Sequence, residues 1–574
     1  MLRNLVLLAL TLTASAFYFP NSQPLVSTQL GSYRGFEYTT KGGSLAHVYL
    51  GIPYVKPPVG NLRFEKPVPI GRHNNVFNAT KFGYICHPHT NLAVPTGFTA
   101  SEDCLFLNIV KPANAFPGKK LPVLVWIHGG GYEIGSSNLF GYTGFADNYI
   151  PQDIIVVTIQ YRLGIYGYLS TGDSDLPGNY GSWDQVEAIR WLYKNIDRFG
   201  GNPKKITAWG LSAGGCAAAE LVLSTQSRNM IAGAIEMSGS AFSYWGVGTT
   251  TVDNSLEYIN EISCTNSDGT RMTGAALKTC LKGKSVAEIY QGVNDIGYTV
   301  PFGLDTIKWG PVIDGPGGFL EDSPYILAKT APRKPVIVGA GDKDTGYFGV
   351  LGYSPFIQNM SIPIPSQGNF TRDVLESWIR SLIRPGWFGA NHDQAVNAMV
   401  GRYAPPGQSV GDSIAQYLRW TNEIYFYKPT VEGILARREK QWPIWAYEFE
   451  QFNQIIYQVR GMNYQQAWGS VHTNEYAYMF DLFNMGPYQM NGTVDGKVHD
   501  QLVAAIGSFT KYGRPIIPGK QWPQVGCNMD YYVFKGDGEV KNGYFMDSYY
   551  FIKSLDDLGF DMGFLTATAN VKRN

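Results

Sequence analysis

The feature that most restricts this chain is a pentapeptide, Gly210-Leu211-Ser212-Ala213-Gly214, set between two apolar segments of different character. Residues 205–209 (KITAW) have the short β-rich pattern of a strand, and 216–223 read as a buried helix. A serine held in the sharp turn between strand and helix is lifted clear of the backbone, and the glycines around it let the turn close. In a chain with 66 glycines a bare G-x-S-x-G arises by chance. The strand before it and the helix after it are what give it meaning.

The rest of the chain supplies the sheet that such a turn needs. Leu121–Ile127 (LPVLVWI) and 153–160 (DIIVVTIQ) are apolar enough for buried strands, as are 335–338 (PVIV) and Ile444–Phe449 (IWAYEF). Between 184 and 199 the apolar residues Val186, Ile189, Leu192, Tyr193, Ile196 and Phe199 share one helical face, and Gly200-Gly201-Asn202-Pro203 stops the helix. A second helix spans 500–512, closed by Gly513 and Pro515. Strands alternating with helices predict an α/β fold, a large and mostly parallel central sheet with helices on both faces. With 44% hydrophobic and only 16% charged residues the chain is built for a large core rather than for disorder. Lys+Arg and Asp+Glu balance at 46 each, which leaves no electrostatic footprint for nucleic acid or an anionic membrane. No repeat, low-complexity tract or linker divides the sequence, so a single domain is expected over 17–574.

Residues 1–16 are read as a signal peptide: Arg3 is the positive start, 5–12 the apolar centre, and Ala14-Ser15-Ala16 the cleavage site. Four N-x-[ST] sequons, at Asn78, Asn359, Asn369 and Asn491, agree with secretion and glycosylation. No later stretch has the ~18 apolar residues of a membrane span. The polar segment 565–574 carries neither a lipid-anchor tail nor a retention signal. The expectation is a secreted glycoprotein without a membrane anchor. Of six cysteines, Cys216 falls on the buried helix after Ser212 and is expected as a free, inert thiol; Cys527 has no obvious partner.

A serine hydroxyl needs a base and its product needs a cradle. His128-Gly129-Gly130-Gly131-Tyr132 follows the Leu121–Ile127 strand, and its glycines leave backbone amides bare. The N–H groups of Gly130, Gly131 and Ala213, the residue after the serine, are the expected oxyanion donors. In the chain order Ser, acid, His the base lies late, at His392, His472 or His499. His472 has the aromatic surroundings that exclude water, and it is the expected base.

Glu102-Asp103-Cys104-Leu105-Phe106-Leu107-Asn108 resembles the EDCLxLN signature of the type-B carboxylesterase/cholinesterase family. Tyr161-Arg162-Leu163-Gly164, Gly178-Asn179-Tyr180-Gly181, Phe199-Gly200-Gly201-Asn202-Pro203 and Met237-Ser238-Gly239-Ser240 are similar to further motifs of that family, as is the H-x-x-E of His472 and Glu475. The resemblance runs from about residue 25 to about residue 515. It implies an α/β-hydrolase fold, hydrolysis of a small-molecule carboxylic ester, and neither cofactor nor metal. It also implies disulfides Cys86–Cys104 and Cys264–Cys280 and ion pairs Arg63–Glu102 and Arg162–Asp184.

Two departures stand out. The family elbow commonly reads G-E-S-A-G-G, whereas here Leu211 stands where the Glu would be. The family's acid is a Glu in a strand-end loop; counting from Pro335 puts that position at Asp344, and counting back from Gly346 puts it at Thr345, which carries no charge. Asp344 is the preferred acid, with Asp342 as the alternative. The expected mechanism is then attack by Ser212, proton transfer through His472 steadied by Asp344, and an acyl-enzyme released by water. Competing expectations are a non-catalytic binding relative, disfavoured because the serine and histidine are kept, and an acyltransferase using the same three residues. No Trp lies between Cys86 and Cys104, so a platform for a quaternary ammonium is missing, which argues against acetylcholine. Trp245 is expected either on the acyl side of the site or in the core.

Overall fold

The computed structural model describes residues 23–562 except 249, 298–303, 305, 353–359, 481–487, 489 and 491. Fourteen strands occur among the described residues: β1 (Leu25–Thr28), β2 (Gly31–Arg34), β3 (Phe36–Thr39), β4 (Leu45–Pro53), β5 (Val76–Asn78), β6 (Phe106–Pro112), β7 (Leu121–Ile127), β8 (Ile155–Ile159), β9 (Gly201–Leu211), β10 (Gly233–Met237), β11 (Val336–Gly341), β12 (Ile444–Phe449), β13 (Tyr531–Phe534) and β14 (Glu539–Lys541). Three of them, in the order β1-β2-β5, make a small sheet. The other eleven form one sheet in the order β14-β13-β12-β11-β10-β9-β7-β8-β6-β4-β3. From β13 through β8 every neighbouring pair is parallel. The pairs at the two ends of the sheet are antiparallel.

The continuous apolar runs have a simple cause. Successive side chains of a strand point to opposite faces, and all of Val123–Ile127 and of β8 are buried, so both faces are covered. Trp126 packs on Phe140, Phe145, Tyr476 and Phe480, while the helix Ala213–Leu223 lies on β9 and β10. The result is the α/β-hydrolase architecture, a mostly parallel sheet clothed in helices.

Several elements run further than their apolar patterns. The helix expected at 500–512 begins at Val494, because the Thr493 side chain accepts the Gly496 N–H and caps it six residues earlier. The helix expected from 184 starts at Tyr180, and its tail, Ile196–Phe199, tightens into a 3-10 turn ended by Gly200 at φ 92°. The strand at 205–209 extends to Gly201–Leu211, and β11 continues past Val338 to Gly341.

Disulfides join Cys86 to Cys104 and Cys264 to Cys280, while Cys216 is free and buried and Cys527 free and exposed. The Arg63 Nε donates to Glu102 at 2.6 Å, and Arg162 grips Asp184 at 2.7 Å through two nitrogens. Asn78 and Asn369 are exposed. Residues 1–16, Asn359 and Asn491 lie outside the described residues. Among the described residues no helix is long and apolar enough to cross a membrane.

Candidate active site

The elbow forms where β9 runs into the helix Ala213–Leu223. Ser212 sits between them at φ 63° and ψ −131°, a backbone state costly for a residue with a side chain. Two contacts hold it there. Its N–H donates to the Met237 carbonyl at 2.8 Å, and its carbonyl accepts from Cys216 at 3.0 Å. The surrounding chain crosses so closely that a Cβ on Gly210 would strike the Gly214 carbonyl, and one on Gly214 the Ile127 carbonyl. These glycines are therefore demanded by contact distance, not by flexibility.

The His128–Gly131 loop leaves the end of β7 beside the serine, and a Cβ on Gly129 would touch the Leu211 carbonyl and the Ser212 Cβ. Gly130 and Gly131 both have positive φ, 114° and 64°. Their N–H groups have no backbone acceptor among the described residues. Ala213 is the first residue of its helix, where an N–H has no intrahelical partner and the helix dipole favours negative charge. His128 itself is buried, and burial lowers its pKa to about 4, so the ring is neutral. It stacks on Tyr161 at 4.5 Å, and the Tyr161 hydroxyl donates to the His128 carbonyl at 2.7 Å. This histidine shapes the loop.

The candidate acid comes from the loop just after β11, and the candidate base from the long segment between β12 and the helix Val494–Tyr512. Asp344 follows β11 and is fully buried; His472 is nearly so. The His472 Nδ1 lies 2.9 Å from Asp344 Oδ1, and the His472 N–H donates to the Asp344 carbonyl at 3.0 Å. The other carboxylate oxygen, Oδ2, accepts from Ser238 Oγ at 2.9 Å and from the Gly341 N–H at 2.8 Å. Ser238 follows β10, and a Cβ on the next residue, Gly239, would meet the Ser212 carbonyl. Ser238-Gly239 thus bridges the acid's loop and the nucleophile's turn. Phe348 and Phe426 stand 5.2 Å from the imidazole and Tyr347 6.3 Å from it.

The alternatives for the acid are occupied elsewhere. Asp342 accepts the Ser470 N–H at 2.7 Å, and Thr345 donates its hydroxyl to the Leu418 carbonyl at 3.1 Å. The other late histidines bond backbone carbonyls, His392 that of Ile383 and His499 that of Tyr478. Glu475 is buried near Asp344; burial and that neighbouring charge raise its pKa, which favours its neutral form. Leu211 is buried, so no carboxylate stands directly before the serine. Trp245 is buried, donates its indole N–H to the Tyr425 carbonyl at 3.1 Å and packs on Phe426, the ring that faces His472.

Sequence reasoning did not find Ser238 as the second partner of Asp344. In the sequence Ser238 stands out only as part of a family motif, directly after the apolar run that ends at Met237. Among the described residues no group of His, Cys, Asp and Glu is arranged to hold a metal ion.

The model of the carboxylesterase family matches residues 22–552. Gut esterase 1 of Caenorhabditis briggsae is 36% identical over 548 residues, covering 94% of this chain and 94% of that protein. Its Caenorhabditis elegans counterpart is 35% identical, again over 94% of each. Mouse pyrethroid hydrolase Ces2a is 30% identical over 89% of this chain and 88% of its own length. The chain belongs to the carboxylesterase family and is a carboxylic ester hydrolase.

Proposed function

We propose that this member of the carboxylesterase family hydrolyses small-molecule esters through Ser212, His472 and Asp344, by way of an acyl-enzyme. Ser212 attacks the ester carbonyl as His472 takes its proton, and the same imidazole returns that proton to the leaving alcohol. Asp344 fixes the tautomer with Nδ1 protonated and stabilises the imidazolium. The N–H groups of Gly130, Gly131 and Ala213 receive the oxyanion, each worth ~3 kcal/mol in the transition state. Water, activated in turn by His472, releases the acid.

The observation that carries this reading is the buried 2.9 Å contact between His472 Nδ1 and Asp344, on loops that Ser238-Gly239 ties to the elbow. The strained φ of 63° at Ser212 supports it. The same proposal includes a signal peptide at 1–16, one catalytic domain over 17–574, secretion, and glycans on the sequons. The exposure of Asn78 and Asn369 agrees with that.

A panel of p-nitrophenyl esters of increasing acyl length, with butyrylcholine as a control, tests the chemistry. The wild type is expected to turn over part of the panel and Ser212→Ala none of it, with butyrylcholine left untouched. Turnover by Ser212→Ala at the wild-type rate would overturn the assignment.

A further inference from the structure

One buried acid in the structure has no place in the mechanism above. Glu220 lies two turns beyond Ser212 on the helix Ala213–Leu223 and is fully buried. Its Oε1 accepts the Tyr132 hydroxyl at 3.0 Å, and its Oε2 has no hydrogen-bond partner among the described residues. Tyr132 is the residue immediately after Gly131. It too is fully buried and, although not glycine, is held at φ 60°.

The position of this contact matters because of what flanks it. Gly130 and Gly131 have no side chains with which to pack, so something beyond them must fix their amides. The turn is closed locally by the Glu133 and Ile134 N–H groups, which donate to the Gly130 carbonyl at 3.0 and 2.9 Å. The Tyr132 carbonyl accepts from Gly164 at 2.8 Å, and the Glu133 carboxylate takes the N–H groups of Lys308 and Trp309 at 2.7 and 3.1 Å. Those contacts tie the loop to the outer chain. Among these side-chain contacts, the hydroxyl of Tyr132 is the one that reaches the helix opened by Ala213. Beside the pairing of β7 with β9 and the close main-chain approach of Gly129 and Gly214, the Tyr132 hydroxyl is thus the side-chain link between the two halves of the oxyanion cradle among the described residues; it reaches Glu220 and also the Cys216 thiol of the same helix.

We propose that Glu220 is a positioning residue for ester hydrolysis, holding the Gly130 and Gly131 amides in register with that of Ala213 through the Tyr132 hydroxyl. This rests on the oxyanion reading given above. Burial supports it: the Glu220 pKa is raised to about 8, so at neutral pH the group is an uncharged acceptor that adds no negative charge behind the oxyanion. The groups facing it are Tyr132, Tyr161, Tyr168 and the thiol of Cys216, all neutral in that range.

The test measures kcat and KM on p-nitrophenyl butyrate for the wild type, Tyr132→Phe, Glu220→Ala and Glu220→Gln. Each protein is also labelled with a fluorophosphonate and melted. Misplacing catalytic amides by a fraction of an ångström costs kcat, so Tyr132→Phe and Glu220→Ala should fall ~10- to 100-fold in kcat with KM within about twofold. Glu220→Gln keeps an acceptor oxygen and should recover to within about threefold of wild type. Tyr132→Phe removes one oxygen and keeps the ring, so it decides the matter should Glu220→Ala fail to fold. Unchanged kcat in Tyr132→Phe, a loss confined to KM, or a Glu220→Gln variant as impaired as Glu220→Ala would overturn the proposal. A wild type that takes up no probe at Ser212 would instead defeat the reading beneath it.

Discussion

Replacing Asp344 by Asn removes a charge while leaving the shape of the side chain, and the structure dictates how the amide must sit. Both the Gly341 N–H and the Ser238 hydroxyl donate to Oδ2, at 2.8 and 2.9 Å. An NH2 group placed there would face these donors with no acceptor, leaving buried polar groups unpaired at ~1–3 kcal/mol each. The amide oxygen must take that place, which turns the NH2 toward His472. Nδ1 then becomes the acceptor, the ring proton moves to Nε2, and the imidazole can no longer take a proton from Ser212. In serine hydrolases of this design the wrong tautomer lowers kcat ~10⁴-fold, or about 5 kcal/mol in the barrier. The assay is steady-state hydrolysis of a p-nitrophenyl ester alongside thermal unfolding. The account expects a drop of that order, with the unfolding midpoint moved by no more than a few degrees. A variant with kcat within tenfold of wild type would refute the reasoning, since it would mean that Asp344 does not set the tautomer.

Two further outcomes follow from contacts already described. Gly214→Ala puts a methyl group against the Ile127 carbonyl, a main-chain atom at the end of β7 that cannot swing aside; we expect ~1–3 kcal/mol of destabilisation in urea unfolding and a fall in kcat, because the elbow must open. A Gly214→Ala enzyme of wild-type stability would contradict the packing argument. Glu220, with its pKa raised to about 8, keeps a proton in the folded state that the unfolded chain releases above its ordinary value near 4.5. Its contribution to stability is thus complete below about pH 4.5 and is lost as pH rises toward 8, with an upper slope of about 1.4 kcal/mol per pH unit. Glu220→Gln should therefore lose less stability than the wild type between pH 5.5 and 7.5 in urea melts. Parallel pH profiles for the two proteins would sink that reading.

The parts of this molecule that were legible from sequence are those where local physics is decisive. A strand covered on both faces is apolar along most of its length, so Leu121–Ile127 and Ile444–Phe449, with Glu448 its one charged residue, declare themselves. The elbow was readable because main chain approaches main chain there, and glycine alone fits. Element ends were less visible. The cap on the helix Val494–Tyr512 is one threonine hydroxyl ahead of a polar first turn, and β9 opens with Gly201-Asn202-Pro203, residues that otherwise mark a stop. Contacts between distant segments left no local trace at all. The pairing of Ser238 with Asp344 spans 106 residues and that of Tyr132 with Glu220 spans 88; Glu220 stands out as the one acidic residue in the apolar helix Ala213–Leu223, but nothing local says which residue it meets. Counting along the chain leaves Asp344 and Thr345 both open, whereas in three dimensions it is the Asp344 carboxylate that meets the imidazole.

The most direct measurement is to expose the protein to a fluorophosphonate ester, digest it, and locate the adduct by mass spectrometry. The account predicts a single phosphonylated serine, Ser212, with labelling abolished in Ser212→Ala and strongly slowed in His472→Ala. An adduct on a different residue, or none on the folded wild type, would contradict it.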